Sequence, residues 1–455
     1  MHNRNQEDPR ITQAKQLLQE VILDRKKQIT QISLPNKSLE GIYQHKLEEF
    51  AKHRGVPLGF PYLGSGIGNG PFVELLDGSI KYDFICGIGV HFLGHSHPAL
   101  IEASTEAILS DLIMQGNLQQ NEDSYELSKL LTDVSHLPHC FLTSSGAMAL
   151  ENGLKLAFQK NFPAQRIFAF ERSFCGRTLA LSQITDKPSF REGLPPTIQV
   201  DYVPFFDPLE PEKSLERALY TIKTQIKRYP KGHAAMILEL VQGEAGSYPG
   251  STPFFSAIMQ LLKENGIAVI VDEIQTFGRT PELFAYQYFN VEKYVDICTI
   301  GKLSYVCATL FTEEYRPRTG LLSQTFTANT VSIRCSSAMI KTLLNLNLYG
   351  KEGKIQRFHH LFSSELAKLA ERHPSKITGP FGLGGMIAFT PFEGEAKLTM
   401  ALVWELFDAG LMTFYAGQHP MRIRMLPPIP VLNETDVHAA IKIIESVLAN
   451  HTIER

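Results

Sequence analysis

A chain of 455 residues with 44% hydrophobic and 20% charged residues has ordinary globular usage, which excludes a wholly disordered, collagen-like or coiled-coil protein. Its formal net charge of −3 leaves no basic bias for nucleic acid or an anionic membrane. No apolar run approaches the roughly 18 residues that would cross a bilayer, and Met1 to Arg10 are too polar for a secretory signal.

Residues 1–60 are charged and helix-like, with Leu17, Leu18, Val21 and Ile22 as an apolar stripe. A glycine-rich stretch, Gly64 to Gly70, follows. Residues 71–330 alternate short apolar runs with longer amphipathic ones. The short runs are 140–142, 167–170, 235–238, 268–271 and 297–300, each bounded by polar residues or glycine, and they predict buried strands of a mostly parallel sheet. The segments between them predict crossover helices on both faces. From about residue 331 the pattern changes to helices, strands at 377–379 and 386–389, and a last helix from near Asn433 with Val437, Ile441, Ile444 and Leu448 on one face. The expected organisation is an N-terminal segment (1–70) packed with a small α+β unit (331–455), and a large α/β unit (71–330) between them. The six cysteines form no C-x-x-C pair, which points to reduced thiols and a cytoplasmic protein.

Ligands of open α/β sheets bind beyond the carboxyl ends of the strands, so the residues after each apolar run carry the argument. Thr143-Ser-Ser-Gly-Ala147 opens a helical pattern. Such a small-residue turn is either a phosphate site or an ordinary capped turn. Phe174 beside Gly176 either packs or stacks on a flat ligand ring, and Arg177 either clamps a carboxylate or forms a surface ion pair. Glu239 and Glu244 follow the third run, where solvated acids are common. Asp272 directly follows the fourth run, at the floor of the crevice, where a carboxylate binds a cation or needs a partner. Lys302 follows Gly301 after the fifth run, and a desolvated amine there becomes a nucleophile.

Other motifs fail in detail. The 64–70 stretch never gives G-x-G-x-x-G, Gly301-Lys302 lacks the remainder of a Walker A loop, and Gly94-His-Ser-His-Pro98 ends in proline where a nucleophile elbow needs glycine. His91, His95 and His97 have no acid or cysteine cluster beside them to complete a metal site, so no metal is expected.

In this order, the strand ends resemble those of class III aminotransferases, pyridoxal-phosphate enzymes of fold type I. The resemblance covers about residues 60–450. It rests on Asp83–Val90, Gly94–Pro98, Ser145-Gly-Ala147, Phe174–Thr178, Val241–Glu244, Val271–Gln275, Gly301-Lys302 and Ile423–Pro428. Gly146–Lys155, Ala285–Gln287 and Gly301–Cys307 are similar to lysine 6-aminotransferases, whereas Gly87–Val90 is nearer the ornithine and acetylornithine enzymes.

The resemblance implies pyridoxal 5'-phosphate as cofactor. Lys302 would bond to its aldehyde and carry the proton, and Asp272 would keep the pyridine nitrogen protonated so that the ring accepts electrons. Gln275 would meet the ring hydroxyl, and Phe174 and Ile274 would sandwich the ring. Ser145, Gly146 and Ala147 would hold the phosphate. Thr325 would reach the cofactor phosphate of the other subunit, which implies a homodimer with shared active sites. Arg424 would grip the α-carboxylate of the amino acceptor, Glu244 would pair with Arg424 when an ω-amine is bound, and Arg177 would take the distal carboxylate. The implied activity is ping-pong transfer of an ω-amino group to 2-oxoglutarate. A racemase, mutase or decarboxylase on the same fold needs the same Lys302 and Asp272, and a non-catalytic binding protein is the third reading. The chain departs from the family pattern at Met148, Leu150 and Cys175, lacks a glycine after Thr276, and has a shortened loop between Lys302 and Thr325.

Overall fold

The computed structural model describes residues 8–111 and 114–450. Residues 1–7 of the expected N-terminal segment and 451–455 of the expected C-terminal unit lie outside the described residues. Seven strands form the central sheet: β1 (His139–Thr143), β2 (Arg166–Phe170), β3 (Gln199–Val203), β4 (His233–Leu238), β5 (Ala268–Asp272), β6 (Ile297–Ile300) and β7 (Cys307–Phe311). Their order is β1-β7-β6-β5-β4-β2-β3. β7 runs antiparallel to β6 and β1, and every other neighbouring pair is parallel.

Side chains alternate faces along a strand, so a continuous apolar run must be covered on both sides. In β5, Val269 and Val271 enter one core and Ala268 and Ile270 the other. Phe168 and Phe170 of β2 likewise oppose Ile167 and Ala169. Helix Thr252–Glu264 places Phe254, Phe255, Ile258 and Leu262 on the first face, while helix Gly146–Lys160 places Leu150, Leu154 and Ala157 on the second. The five expected strands are all present. β3 and β7 were not foreseen: β3 is a half-exposed edge strand, and β7 returns from β6 after only six residues.

The C-terminal part contains an antiparallel sheet of strands Ile377–Leu383, Met386–Pro391, Arg422–Met425 and Phe414–Ala416. Helices Lys354–Arg372 and Glu434–Asn450 pack together there, the latter opened by Asn433 Oδ1 accepting the Asp436 amide at 3.0 Å. The glycine stretch is itself a strand, Gly64–Asn69, paired with Phe72–Leu75. Glycine is required at position 68, where a Cβ would stand 2.5 Å from the Cβ of His95. His95 Nε2 lies 2.8 Å from Asp83 Oδ2, and the His95 ring packs on His91. Strand Ile80–Asp83 then pairs with Leu411–Met412, joining this region to the C-terminal part.

Helix Pro9–Lys26 buries no residue: Leu17, Leu18 and Val21 of the predicted stripe are 56%, 47% and 63% exposed. Among the described residues no helix is long and apolar enough to cross a membrane.

Phe168 is fully buried and stacks on the His233 ring with centroids 3.9 Å apart. Phe168→Ala is expected to cost about 3–5 kcal/mol of stability in denaturant unfolding. A loss below about 1 kcal/mol would show that this face of the sheet can collapse around the void.

Candidate active site

The carboxyl ends of β1, β2, β4, β5 and β6 open onto one cavity. It is lined by Gly146, Ala147, Phe174, Glu239, Asp272, Ile274, Gln275 and Lys302, among others. Asp272 ends β5 and its register partner on β6 is Thr299, so Lys302 emerges from the neighbouring strand one turn further on. That turn forms because β6 must reverse into antiparallel β7 within a few residues. Lys302 takes a left-handed φ of 54° there, a conformation that costs a lysine on the order of 1 kcal/mol and is held by the surrounding packing.

At the end of β1, Ser145 Oγ accepts the Met148 amide at 3.2 Å and caps helix Gly146–Lys160. Gly146 and Ala147 occupy the first helical turn, whose N–H groups have no intrahelical acceptor, and both line the cavity. A Cβ on Gly146 would come 2.8 Å from Ile274 Cδ1, so glycine lets the helix end approach the wall that Ile274 forms. Phe174 and Ile274 both line the cavity. The Phe174 amide donates to Glu239 Oε1 at 2.8 Å, and the Ile274 amide donates to Asp272 Oδ1 at 2.9 Å.

Burial dominates the electrostatics. Asp272 is 7% exposed, and desolvation raises its pKa to about 6 against the pull of the Ile274 amide and Lys302. Desolvation lowers Lys302 to about 7, with Arg424 acting in the same direction and Glu244 and Asp272 opposing. A substantial fraction of the Lys302 amine is therefore unprotonated near neutrality, as a nucleophile requires. Glu239 was expected to be a solvated strand-end acid. It is instead only 9% exposed, and burial, reinforced by Asp272, raises its pKa to about 8. Only burial distinguishes it from an ordinary strand-end acid, and burial cannot be read from the residues after a strand.

Arg424, fully buried on strand Arg422–Met425, donates from Nη1 to Glu244 Oε2 at 2.9 Å. Gln275 Oε1 lies 3.4 Å from the same nitrogen. Arg424 Nε and Nη2 are buried and have no partner among the described residues. Burial pushes Glu244 upward, but Arg424, Lys302 and Lys187 outweigh it and hold the carboxyl below its usual range.

Arg177 and Thr325, the latter expected to serve the other subunit's site, do not line this cavity. Arg177 is exposed, with its guanidinium 3.9 Å from the centre of the Phe190 ring. Thr325 is exposed in the single chain and does not line the cavity.

The class III aminotransferase family model matches residues 66–448, and the chain belongs to this family. Acetylornithine aminotransferase 1 of Bradyrhizobium diazoefficiens is 30% identical over 400 residues, covering 85% of this chain and 92% of that protein. The acetylornithine aminotransferase of Mesorhizobium japonicum is 31% identical over 412 residues, covering 88% and 94%. The solved acetylornithine aminotransferase of Elizabethkingia anophelis superposes with a TM-score of 0.73 at 25% identity, covering 90% of this chain and 99% of that one. The lysine aminotransferase of M. tuberculosis gives 0.78 at 21% identity, covering 89% and 99%, and speaks for the fold alone.

The protein is thus a class III aminotransferase dependent on pyridoxal phosphate. The site fits that cofactor: a desolvated amine faces a buried carboxylate, two apolar side chains line the same cavity, and a helix N-terminus opens onto it.

The raised pKa of Glu239 makes a stability prediction for the cofactor-free protein. A buried carboxyl with a raised pKa costs nothing below its unfolded value near 4.5, costs more as pH rises, and reaches a plateau above about 8. Glu239→Gln should therefore raise the melting temperature more at pH 8.5 than at pH 5. The gain should be on the order of a few kcal/mol at most. An equal shift at both pH values would mean that Glu239 is ionised in the fold.

Proposed function

We propose that this enzyme moves the terminal amino group of an amino-acid donor to 2-oxoglutarate in two half-reactions at one site. The single observation that carries this reading is the Arg424–Glu244 pair 2.9 Å apart beside the Lys302 amine. When an uncharged or ω-aminoalkyl chain enters, Glu244 neutralises Arg424 and the cavity presents no unpaired cation to it. When a 2-oxo diacid enters, its α-carboxylate competes with Glu244 for the guanidinium, and the two unpaired donors Nε and Nη2 are available to accept it. The acetylornithine aminotransferases among the relatives support a donor with a terminal amine.

When bound, pyridoxal phosphate supplies an aldehyde that captures the amine and a ring that takes up the electron pair left by the broken C–H bond. Lys302, whose pKa burial lowers, would be the residue that holds the cofactor through its amine, and the same amine would take and return the proton at the substrate carbon. Asp272, buried at the cavity floor, would hold a proton on the pyridine nitrogen by a charge-assisted hydrogen bond. Gln275, which lines the cavity, would meet the ring hydroxyl, and Phe174 and Ile274, which line it too, would exclude water from the ring. Gly146 and Ala147 would bind the phosphate through their amides, and Ser145 holds that turn in place by capping the helix.

The exposed Thr325 serves the site of a second copy in a homodimer. Support comes from the apolar surface beside it: Phe326 is 42% exposed and Leu118 fully so, while the Asn117 amide donates to the Gln324 carbonyl at 3.2 Å. A monomer seldom leaves such side chains clustered in water.

Lys302→Ala should abolish the visible absorbance that arises when the cofactor is linked to the protein, together with nearly all turnover. A variant keeping both would overturn the assignment. Glu244→Ala leaves Arg424 unpaired, so kcat/KM for glutamate should rise roughly tenfold or more relative to an ω-amine donor, read from single half-reactions. An unchanged ratio would remove Glu244 from the gating role.

A further inference from the structure

A second cavity of about 220 Å³ adjoins the first, and Phe174 and Glu244 line both. Its other walls include Arg172, Asp186, Lys187, Tyr415 and His419. Glu244 and Phe174 thus stand where the space around Lys302 passes into this second cavity.

The charges of the outer cavity are unequally satisfied. Asp186 accepts the Arg172 amide at 2.8 Å and faces Arg191 at 4.0 Å. Glu244 is occupied by Arg424. Lys187 and Arg172 make no ion pair among the described residues: the Lys187 ammonium rests 4.4 Å from the Phe190 ring centre, and the Arg172 guanidinium lies 4.8 Å from that of Tyr248. A cation set against an aromatic face in a cleft keeps most of its hydrogen-bonding capacity free for a ligand. Both Arg177 and Lys187 lean on Phe190, but only Lys187 lines the cavity.

We propose that Lys187, assisted by Arg172, binds the carboxylate at the far end of the substrate, the role that the family pattern alone would give to Arg177. In this arrangement one anion is read by Arg424 and a second by Lys187, with Glu244 between them. The preferred ligands are then dicarboxylates and ω-amino carboxylates. A diamine brings a second ammonium to two unpaired cations and is rejected. The inference rests on the transaminase reading for which substrates these are, but not for the binding itself.

The test measures equilibrium binding to the cofactor-loaded enzyme, without turnover. Succinate, glutarate and adipate are compared with monocarboxylates of the same chain length, in wild type, Lys187→Gln and Arg177→Gln. The wild type is expected to bind at least one diacid tenfold or more tightly than its monocarboxylate. Lys187→Gln should remove most of that ratio, and Arg177→Gln should reduce it less. Equal affinities in the wild type, a ratio unchanged by Lys187→Gln, or a larger loss from Arg177→Gln would each overturn the proposal. Absence of amine-dependent bleaching in the wild type would instead count against transamination, so the two failures are separable.

Discussion

Everything in this molecule depends on a carboxylate and an amine being desolvated together at the tips of neighbouring parallel strands. Neither Asp272 nor Lys302 is at ease alone: burial pushes the acid up to about 6 and the amine down to about 7. Each favours the charged form of the other, but the desolvation of both exceeds that attraction. Both groups therefore titrate nearer neutrality than a free carboxylate or a free amine. The sheet makes this possible because β5 and β6 are covered on both faces, which keeps water from their carboxyl ends.

The same constraint explains the tight reversal after β6. A longer connection would carry Lys302 away from Asp272. Antiparallel β7 returns at once, and the lysine backbone is bent into a left-handed conformation as part of that turn. The strain sits at the reacting residue, where the packed surroundings over-determine it.

Around this pair, charge is graded outward. Arg424 is fully buried and tied to Glu244, so the inner cavity is close to neutral until an acid enters. Beyond Glu244 the cavity holds Lys187 and Arg172 beside Asp186, whose carboxylate is taken up by the Arg172 amide and faces Arg191. Substrate choice then turns on which end of a ligand can take which cation, a matter of differential pairing rather than of apolar fit.

The five apolar runs, the order of the residues that follow them and the small-residue turn before Gly146 were readable in the amino-acid sequence, because a buried parallel strand needs apolar residues on both faces and the chemistry must lie just past its end. Those local rules set Asp272, Lys302 and Phe174 at the strand ends, where the structure brings them to one cavity; Gln275 joined them only through the family resemblance. They did not reveal β3, whose edge position relaxes the apolar pattern, or β7, whose start is hidden by the Lys302 turn. They left Glu239 solvated, and they gave no sign that Arg177 turns onto Phe190 while Lys187 lines the adjoining cavity. In each of these cases the deciding quantity is burial or side-chain direction, which is set by elements distant in sequence: Glu239 is enclosed by the Phe174 loop, and Arg177 turns onto Phe190. Residue types along the chain determine which chemistry is available; only the packing of remote segments decides which of those groups lose water and face one another.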